Sequence, residues 1–163
     1  MQVIGLIADT HIPARAIGLS AELLNGLAGV DLIIHAGDIV HPSVLDALGQ
    51  IAPVVAVAGN MDPPELQAGL GRTKTLSIGK YTIGVIHGDG VRGTTRERAL
   101  AAFPNADCVV FGHSHQPLVE KAGRVLLVNP GSPTDRRRSP YHSYGILYVR
   151  DSGIEARIIK LED

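Results

Sequence analysis

The sequence predicts an α/β protein in which two stacked β-sheets are covered by helices on their outer faces. In the first part of its 163 residues, short apolar strands alternate with helices, a pattern that requires right-handed crossovers and a parallel sheet. The rest of the chain instead contains three pairs of strands separated by short turn sequences, which predicts antiparallel hairpins. The sequence contains no internal repeat, low-complexity tract or linker. We therefore expect one domain over residues 1–163.

The first half provides three strands. Apolar runs predict buried strands at residues 3–8, 31–35 and 54–58. Between them, Ser20 can cap a helix that ends near Ala28, and residues 41–43 open a short helix that runs to about Leu48. Residues 61–71 contain two prolines, so we expect a loop there with room for a turn of helix.

The second half is rich in hairpin signals. Gly79-Lys80, Ala122-Gly123 and Asp151-Ser152-Gly153 each separate two strand-like segments. The strands predicted around them span residues 73–78 and 81–87, 118–121 and 124–128, and 144–150 and 154–161. A helix over residues 94–102 and a strand over residues 106–111 complete the order. Residues 132–143 hold two prolines and three consecutive arginines, and they are expected to form a mobile surface loop.

Composition excludes several classes of protein. Hydrophobic residues make up 45% of the chain and charged residues 19%, which argues against a disordered protein, a coiled coil or a collagen. Apolar runs fall far short of the roughly 20 residues of a membrane span. The first run ends at Asp9 and lacks the basic start of a signal peptide. The single cysteine, Cys108, excludes a disulfide framework. A cytoplasmic protein without membrane association is therefore expected.

The net charge of −1 conceals an uneven distribution. Residues 1–66 contain seven acidic residues and one basic residue, whereas the remainder contains nine acidic and fourteen basic residues. An acidic first half suits cations, and an arginine-rich second half suits phosphate or carboxylate groups. An uneven surface charge without any function accounts for these counts equally well. Aromatic residues make up only 4% of the chain and Trp is absent, so strong nucleic-acid binding is not expected.

Five of the predicted strands end in a small polar cluster. The clusters are Asp9-Thr10-His11, His35-Ala36-Gly37-Asp38, Gly59-Asn60-Met61-Asp62, His87-Gly88-Asp89 and Gly112-His113-Ser114-His115. One such cluster is more often a turn or a helix cap than a site. Ligands of open α/β sheets, however, bind beyond the carboxyl ends of the strands. If the five clusters meet at one rim, many polar groups lose their water without burying apolar surface in return. Bound cations would offset that cost.

The side chains in these clusters form a mixed nitrogen and oxygen donor set. Such a set suits zinc, iron, manganese or cobalt, and it contains too much nitrogen for magnesium or calcium. Seven candidate ligands exceed the roughly four to six that a single ion takes, so they fit two ions if one carboxylate bridges them. Two cations would lower the pKa of bound water and stabilise the charge of an in-line displacement at phosphorus.

The ordered set of motifs resembles the signature of the calcineurin-like metallophosphoesterases. The matching residues are Asp9-x-His11, Gly37-Asp38, Gly59-Asn60, His87 and Gly112-His113-x-His115. The short chain and its Asn129-Pro130-Gly131-Ser132 segment resemble the small prokaryotic phosphodiesterase branch of that family. The resemblance implies a four-layer α/β/β/α sandwich of two mixed β-sheets flanked by helices. It also implies that Asp9, His11 and His115 hold one metal, that Asn60, His87 and His113 hold the other, and that Asp38 bridges them.

The resemblance implies a dinuclear phosphodiesterase that hydrolyses small phosphate esters by direct attack of a metal-bridging hydroxide. Asp38, Asn60 and Asp62 are the candidate catalytic residues, and Asn60 and His87 are the candidate substrate contacts. Two divalent transition-metal ions are expected, manganese first, with zinc, iron, nickel and cobalt as alternatives. Two other functions stay open: a phosphomonoesterase on the same centre, and a metal-binding protein-interaction scaffold like the retromer subunit of similar fold. Whether the chain forms a homo-oligomer also stays open.

Two positions depart from the pattern of this family. Many relatives carry a histidine directly after the Gly-Asn pair, and it is taken to protonate the leaving group. This chain instead has Met61, whose thioether has no proton to donate. Asp62, the nearest acid, either orients water or a ligand or forms only a turn before the prolines. Asp89 stands where the small branch often has a second histidine, and an acid there argues against a phosphate contact. The run of Arg136, Arg137 and Arg138 is either solvated or reaches a substrate phosphate.

Overall fold

Residues 1–162 are described here by a computed structural model, which contains ten strands and four helices. The strands are β1 (Gln2–Ile7), β2 (Leu32–His35), β3 (Val54–Ala56), β4 (Thr73–Ile78), β5 (Tyr81–Ile86), β6 (Cys108–Val110), β7 (Leu118–Ala122), β8 (Val125–Asn129), β9 (Ser143–Arg150) and β10 (Gly153–Lys160). The helices are α1 (Ala21–Gly26), α2 (Ser43–Gly49), α3 (Pro64–Leu70) and α4 (Thr95–Ala102).

The strands form two five-stranded mixed sheets. The first has the order β10-β9-β1-β2-β3, and the second has the order β4-β5-β6-β8-β7. Strands β1, β2 and β3 are parallel, as are β5, β6 and β8, whereas the hairpin partners β4, β7, β9 and β10 run antiparallel to their neighbours. The alternation of strand and helix correctly predicts the parallel strands of the first half, and the hairpin signals predict the pairs β4–β5, β7–β8 and β9–β10. The parallel pairing of β5, β6 and β8 was not predicted.

Three apolar layers hold the sheets and helices together. Leu6 of the first sheet and Val85 of the second lie in the layer between the two sheets. On the outer face of the first sheet, Leu27 below α1 packs with Ile33. Ala99 of α4 belongs to the third layer, which covers the second sheet. The expected four-layer α/β/β/α sandwich is confirmed. None of the helices within residues 1–162 is long and apolar enough to cross a membrane.

Most predicted boundaries agree with the structure to within two or three residues. Ser20 caps α1 by accepting a hydrogen bond from the Leu23 backbone N–H. The turn glycines Gly79 and Gly123 adopt φ angles of 58° and 62°, which glycine reaches at little cost. Strand β3 is shorter than expected because the backbone N–H of Ala58 already bonds outside the sheet, to the carbonyl of Gly71.

Two segments differ from the sequence prediction. Residues 64–70 form the helix α3 where mainly a loop was expected. The prolines do not oppose this helix, because Pro64 lies in its first turn, where a backbone N–H is not needed. The expected mobile surface loop over residues 132–143 is instead anchored. Ser132, Ser139 and Ser143 are buried there, and each makes hydrogen bonds through its side chain.

Candidate metal centre

The polar clusters of the two sheets meet because the parallel strands of both sheets end at the same rim. Two hydrogen bonds cross between the sheets at this place. The backbone N–H of His113, after β6, donates to Asp9 Oδ2 at 3.0 Å. The Nδ1 atom of His87, after β5, donates to the carbonyl oxygen of Ala36 at 2.8 Å. These bonds fix the ends of β1 and β2 against the ends of β5 and β6.

Six of the predicted ligands form two compact groups. Asp9, His11 and His115 form one, which we call the buried group; all three are buried. Asp38, His87 and His113 form the other, which we call the cleft-side group because His113 is only partly buried. Within each group, one ligand atom from each residue lies within 4.8 Å of the others. The rings of His11 and His115 stack with centroids 5.2 Å apart, and those of His87 and His113 meet edge to face at the same separation.

Several ligand atoms are buried without a hydrogen-bond partner. Asp9 Oδ1 lies 3.9, 3.7 and 3.6 Å from the Nε2 atoms of His11, His87 and His115. Asp9 Oδ1 and the Nε2 atoms of His11 and His115 make no hydrogen bond with the described residues. Each buried unpaired polar atom costs about 1–3 kcal/mol. Divalent cations placed among these atoms would offset that cost, since carboxylate oxygens and imidazole nitrogens are good ligands for transition metals. The residues present therefore fit a metal centre.

Asp38 lies between the two groups. Its Oδ2 atom is 3.0 Å from His87 Nε2 in the cleft-side group and 3.4 Å from His11 Nε2 in the buried group. Its Oδ1 atom accepts a hydrogen bond of 2.8 Å from the backbone N–H of Met61. One oxygen thus fixes the orientation of the carboxylate while the other faces ligands of both groups, which is the position that the predicted bridging role requires.

One histidine of each group is oriented by a backbone carbonyl. His87 Nδ1 bonds to the carbonyl of Ala36, and His115 Nδ1 makes a short hydrogen bond to the carbonyl of Asp135. Because a carbonyl oxygen can only accept, Nδ1 carries the proton in both rings. The Nε2 atoms are thereby directed into the centre, and hydrogen bonds of this kind commonly orient metal-binding histidines.

The electrostatics of the groups also suit a cation. Burial raises the pKa of Asp9 to about 7 and lowers that of His115 to about 4. Burial likewise lowers the pKa values of His11 and His113, so these three histidines are neutral at physiological pH, as metal ligands must be. Burial disfavours the charged forms of Asp38 and His87 too, but the two groups face each other. This contact moves the pKa of Asp38 to about 2 and that of His87 to about 9. His87 is therefore protonated without a cation and would have to release that proton to bind one.

Five predicted ligands have left-handed backbone conformations. The φ angles of Asp9, His11, Asp38, His113 and His115 lie between 46° and 73°. Non-glycine residues adopt such angles uncommonly, although Asp and His tolerate them better than most, and they concentrate at functional sites. Each left-handed residue follows a buried strand and turns the chain sharply.

Asp62 holds the turn that carries Asp38. Its buried carboxylate accepts three backbone hydrogen bonds, from Asp38, Val40 and Gly59, at 3.0, 2.7 and 2.8 Å. Val40 is a β-branched residue at a φ of 76°, a costly conformation that this carboxylate stabilises. A Cβ atom on Gly59 would lie only 2.6 Å from the backbone nitrogen of Asp38, so the turn also requires a glycine there. These contacts indicate a positioning role for Asp62, and its predicted catalytic role stays a prediction.

Asn60 and Met61 follow the third strand at the edge of the centre, and both are exposed. Asn60 lies between Gly59 and Met61, which both contact Asp38. Its side chain makes no hydrogen bond to any other residue within 1–162, so its predicted roles as metal ligand and substrate contact stay predictions. The Met61 side chain is 58% exposed. His87, the other predicted substrate contact, is almost fully buried behind Asp38.

Two further side chains near the centre have structural partners. The carboxylate of Asp89 forms a two-pronged ion pair with Arg72. It is therefore already neutralised, in agreement with the expectation that it does not contact phosphate. His35 is fully buried, and burial lowers its pKa to about 3. It accepts a hydrogen bond from the Gly37 backbone N–H and lies 3.1 Å from Thr10 Oγ1, so it supports the turn that precedes Asp38.

The segment of residues 132–143 supports the buried group in a way that the sequence does not reveal. The hydroxyl of Ser132 donates to the carbonyl of Asp9 at 2.7 Å, and that of Thr134 donates to the carbonyl of Thr10 at 2.6 Å. The carbonyl of Asp135 then orients His115. A backbone carbonyl carries no sequence signal, so Asp135 could not be identified from its residue type. The residue types of the buried Ser132 and the half-buried Thr134 indicate only a turn.

Asn129, at the end of β8, holds the loop that contains His113 and His115. Its side-chain amide donates to the carbonyl of Gly112 at 3.1 Å and contacts the Ser114 hydroxyl at 3.0 Å. An asparagine directly after a buried strand and before Pro-Gly is the signal that could have identified it.

Comparison with known proteins agrees with this geometry. The chain is 42% identical to the probable metallophosphoesterase MJ0623 of Methanocaldococcus jannaschii, with 99% of this chain and 82% of that protein aligned. It is 29% identical to the phosphodiesterase MJ0936 of the same organism, over 78% of this chain and 82% of the relative.

Among solved structures, Vps29 of Entamoeba histolytica complexed with Zn²⁺ superimposes with a TM-score of 0.79 at 23% identity. The match covers 98% of this chain and 99% of Vps29, and it supports the fold. The model of the calcineurin-like phosphoesterase superfamily domain matches residues 1–152. This match covers nearly all of the described chain, including both groups of ligands, and the chain therefore belongs to the calcineurin-like phosphoesterase superfamily.

Proposed function

We propose that this metallophosphoesterase is a phosphodiesterase that uses two divalent transition-metal ions. The observation that carries the proposal is the pair of buried ligand groups with Asp38 between them. Asp9, His11 and His115 would hold one ion, His87, His113 and Asn60 would hold the other, and Asp38 would contact both. When bound, the ions would supply an activated water as nucleophile and positive charge for the phosphate oxygens.

The protein's own groups determine the geometry of this centre. The carbonyls of Ala36 and Asp135 keep the Nε2 atoms of His87 and His115 directed inward. Asp62 holds the backbone around Asp38, so the bridging carboxylate is oriented before substrate arrives. Preorganisation of this kind removes the need to rearrange the site during the reaction.

Three considerations support a diester substrate. First, Met61 stands where many family members have the histidine that is taken to protonate the leaving group, which fits substrates with good leaving groups. Second, a relative covering most of the chain is itself named a phosphodiesterase. Third, the exposed Asn60 and the partly buried His113 leave the cleft-side group open to solvent, so an ester arm can extend away from the centre.

The donor set favours manganese, with zinc, iron, nickel or cobalt as alternatives. The two groups combine carboxylate and imidazole ligands, a mixture that excludes calcium and magnesium as preferred ions. Zinc is the ion named for the Vps29 structure of similar fold. A protein-interaction scaffold is the other function to be tested. The complete set of family ligands argues against it, since a scaffold has no need to keep each one.

The test combines metal analysis with paired substrates. Protein stripped with a chelator should be inactive on bis(p-nitrophenyl) phosphate and should regain activity best with Mn²⁺ or another transition ion, and not with Ca²⁺. Elemental analysis should find two ions per chain. His11→Ala should lose metal and activity, whereas the matched control His41→Ala should keep its metal, because the side chain of the exposed His41 makes hydrogen bonds only with Ser43 within residues 1–162.

Full activity of the stripped protein would overturn the metal requirement. A higher kcat/KM for p-nitrophenyl phosphate than for the diester would favour a phosphomonoesterase. Stoichiometric metal without hydrolysis of any ester would instead favour the scaffold.

A further inference from the structure

A cleft of about 600 Å³ begins at the cleft-side group and leads away from it. Its lining residues are Thr95, His113, Ser114, Gln116, Arg137 and Arg138. His113 is a proposed metal ligand, so a molecule that fills the cleft would lie beside the metal centre. The volume is within the range of sites for small molecules and is much larger than a single phosphate group needs. The cleft therefore has room for an arm of the substrate beyond the phosphate that is hydrolysed.

The two arginines of this cleft are carried by an anchored segment. Ser132 and Thr134 tie its start to Asp9 and Thr10, and the backbone N–H of Ser139 donates to the carbonyl of Arg136 at 2.9 Å. Arg137 has a φ of 49°, which directs the chain through a tight turn. This anchored backbone places both arginines on the wall of the cleft.

The two guanidinium groups differ in how far their charge is balanced. Arg137 Nε lies 3.5 Å from Asp135 Oδ2, which is also 3.4 Å from Arg15 Nε. Arg138 is exposed and makes no hydrogen bond or ion pair with the rest of residues 1–162. The cleft thus contains one partly balanced and one unbalanced positive charge. A guanidinium matches the geometry of a phosphate, which it can bind through two hydrogen bonds.

The cleft continues into a smaller pocket of about 270 Å³ that shares Thr95, Ser114 and Gln116 with it. Phe111, Pro117 and Leu118 give this pocket an apolar wall. Arg96 also lines this pocket, but its guanidinium is already paired with Glu120, so the pocket offers no unbalanced charge to an anionic group. The negative group of a bound arm would therefore lie at the arginines, and an uncharged ring could occupy the apolar part.

We infer that Arg137 and Arg138 form a subsite for a second phosphate on the substrate. The preferred substrates would then be phosphodiesters in which one ester arm carries an additional phosphate group. This inference rests on the proposed phosphodiesterase function. The phosphate that is hydrolysed would bind at the metal centre, and the additional phosphate would bind the arginines.

Dinucleotides that differ by one phosphate provide the test. Metal-loaded protein is assayed on TpT, on pTpT with a 5′-phosphate and on TpTp with a 3′-phosphate, and diester cleavage is followed by chromatography. We expect at least one of the phosphorylated dinucleotides to have a kcat/KM about tenfold or more above that of TpT, the gain expected from a charge-assisted hydrogen bond. Arg138→Ala should remove this preference and leave TpT cleavage and metal content unchanged. Arg136→Ala, which loses the same charge outside the cleft, should keep the preference.

A binding measurement separates failure of this inference from failure of the proposed function. Thymidine 3′,5′-bisphosphate should bind the metal-loaded protein about tenfold more tightly than thymidine 5′-monophosphate, and Arg138→Ala should abolish the difference. If no diester is cleaved, the phosphodiesterase proposal fails, and the two affinities still test the subsite.

Three results would overturn the subsite. One is equal kcat/KM on all three dinucleotides, and another is a preference that survives Arg138→Ala. The third is an equal loss in that variant on TpT and the phosphorylated dinucleotides, which would place the arginine at the hydrolysed phosphate.

Discussion

The two ligand groups lie on either side of the Asp38 carboxylate but differ in how the protein holds them. In the buried group, all three residues are enclosed, and the segment that starts at Ser132 supports both Asp9 and His115. In the cleft-side group, His113 is only partly buried, and the remaining predicted ligand, Asn60, is exposed. The two groups therefore differ in rigidity and in access to solvent. The protein structure fixes the first group, whereas the second opens towards the cleft where substrate would enter.

The largest expected effect comes from removing the group that both sites share. Asp38→Asn keeps the shape of the side chain but loses the charge that faces His11 and His87. Activity on a nitrophenyl diester should fall by more than the roughly 100-fold that loss of an outer hydrogen-bond partner costs. It should also fall further than in His11→Ala, since only the first variant weakens both sites. Metal content near two ions per chain and a near-normal rate in Asp38→Asn would show that Asp38 does not bridge.

The comparison also predicts that the two ions leave at different rates. The ion of the cleft-side group should be extracted by a mild chelator at least about tenfold faster than the ion of the buried group, because only the first is open to solvent. Metal content followed over time should show two phases of one ion each. His113→Ala should remove the fast phase and keep the slow one. A single phase with both ions, or loss of the slow phase in His113→Ala, would contradict the difference between the groups.

A smaller effect, on folding stability, should follow from the support behind Asp38. Asp62→Ala leaves three backbone N–H groups without their acceptor, since the carboxylate binds those of Asp38, Val40 and Gly59. We expect the free energy of unfolding of the metal-free protein to fall by about 3 kcal/mol or more, as judged from the usual value of charged hydrogen bonds. Asp62→Asn should cost less because one acceptor oxygen remains.

Urea denaturation provides the measurement, and Asp46→Ala is the matched control because that acid is exposed on α2. If Asp62→Ala lowered kcat and left both stability and metal content unchanged, Asp62 would act in the reaction itself, as the sequence alone suggested.

The sequence predicts more of the fold than of the detailed geometry of the candidate metal centre. Apolar runs and turn residues predicted the strands and hairpins of both sheets, because each pattern is local. The polar clusters after five strands likewise predicted which residues would meet, since parallel strands place their carboxyl ends together. Three features escaped prediction for physical reasons. The left-handed φ angles of His11 and Asp38 depend on tertiary contacts. The carbonyl of Asp135 has no residue-specific signal. An acidic residue at position 62 does not by itself predict that three backbone N–H groups bind its carboxylate.

The last prediction concerns how the leaving group is protonated. It depends on the side chain at position 61, at the exposed edge of the cleft-side group. Met61 is 58% exposed, and its backbone N–H binds Asp38, so a side chain at this position starts beside the bridging carboxylate. A thioether cannot donate a proton, and general acid catalysis is typically worth about 10²–10⁴-fold. Diesters with acidic alcohols, such as nitrophenol, should therefore react much faster than alkyl diesters. The slope of log kcat against the leaving-group pKa should be steep in the wild type, and it should be shallower in Met61→His if the new imidazole reaches the leaving oxygen. A flat slope in the wild type, with chemistry rate-limiting, would mean that another residue already supplies the proton. Because the carboxylate of Asp62 is fully engaged by backbone N–H groups, His41 would then be the first residue to replace.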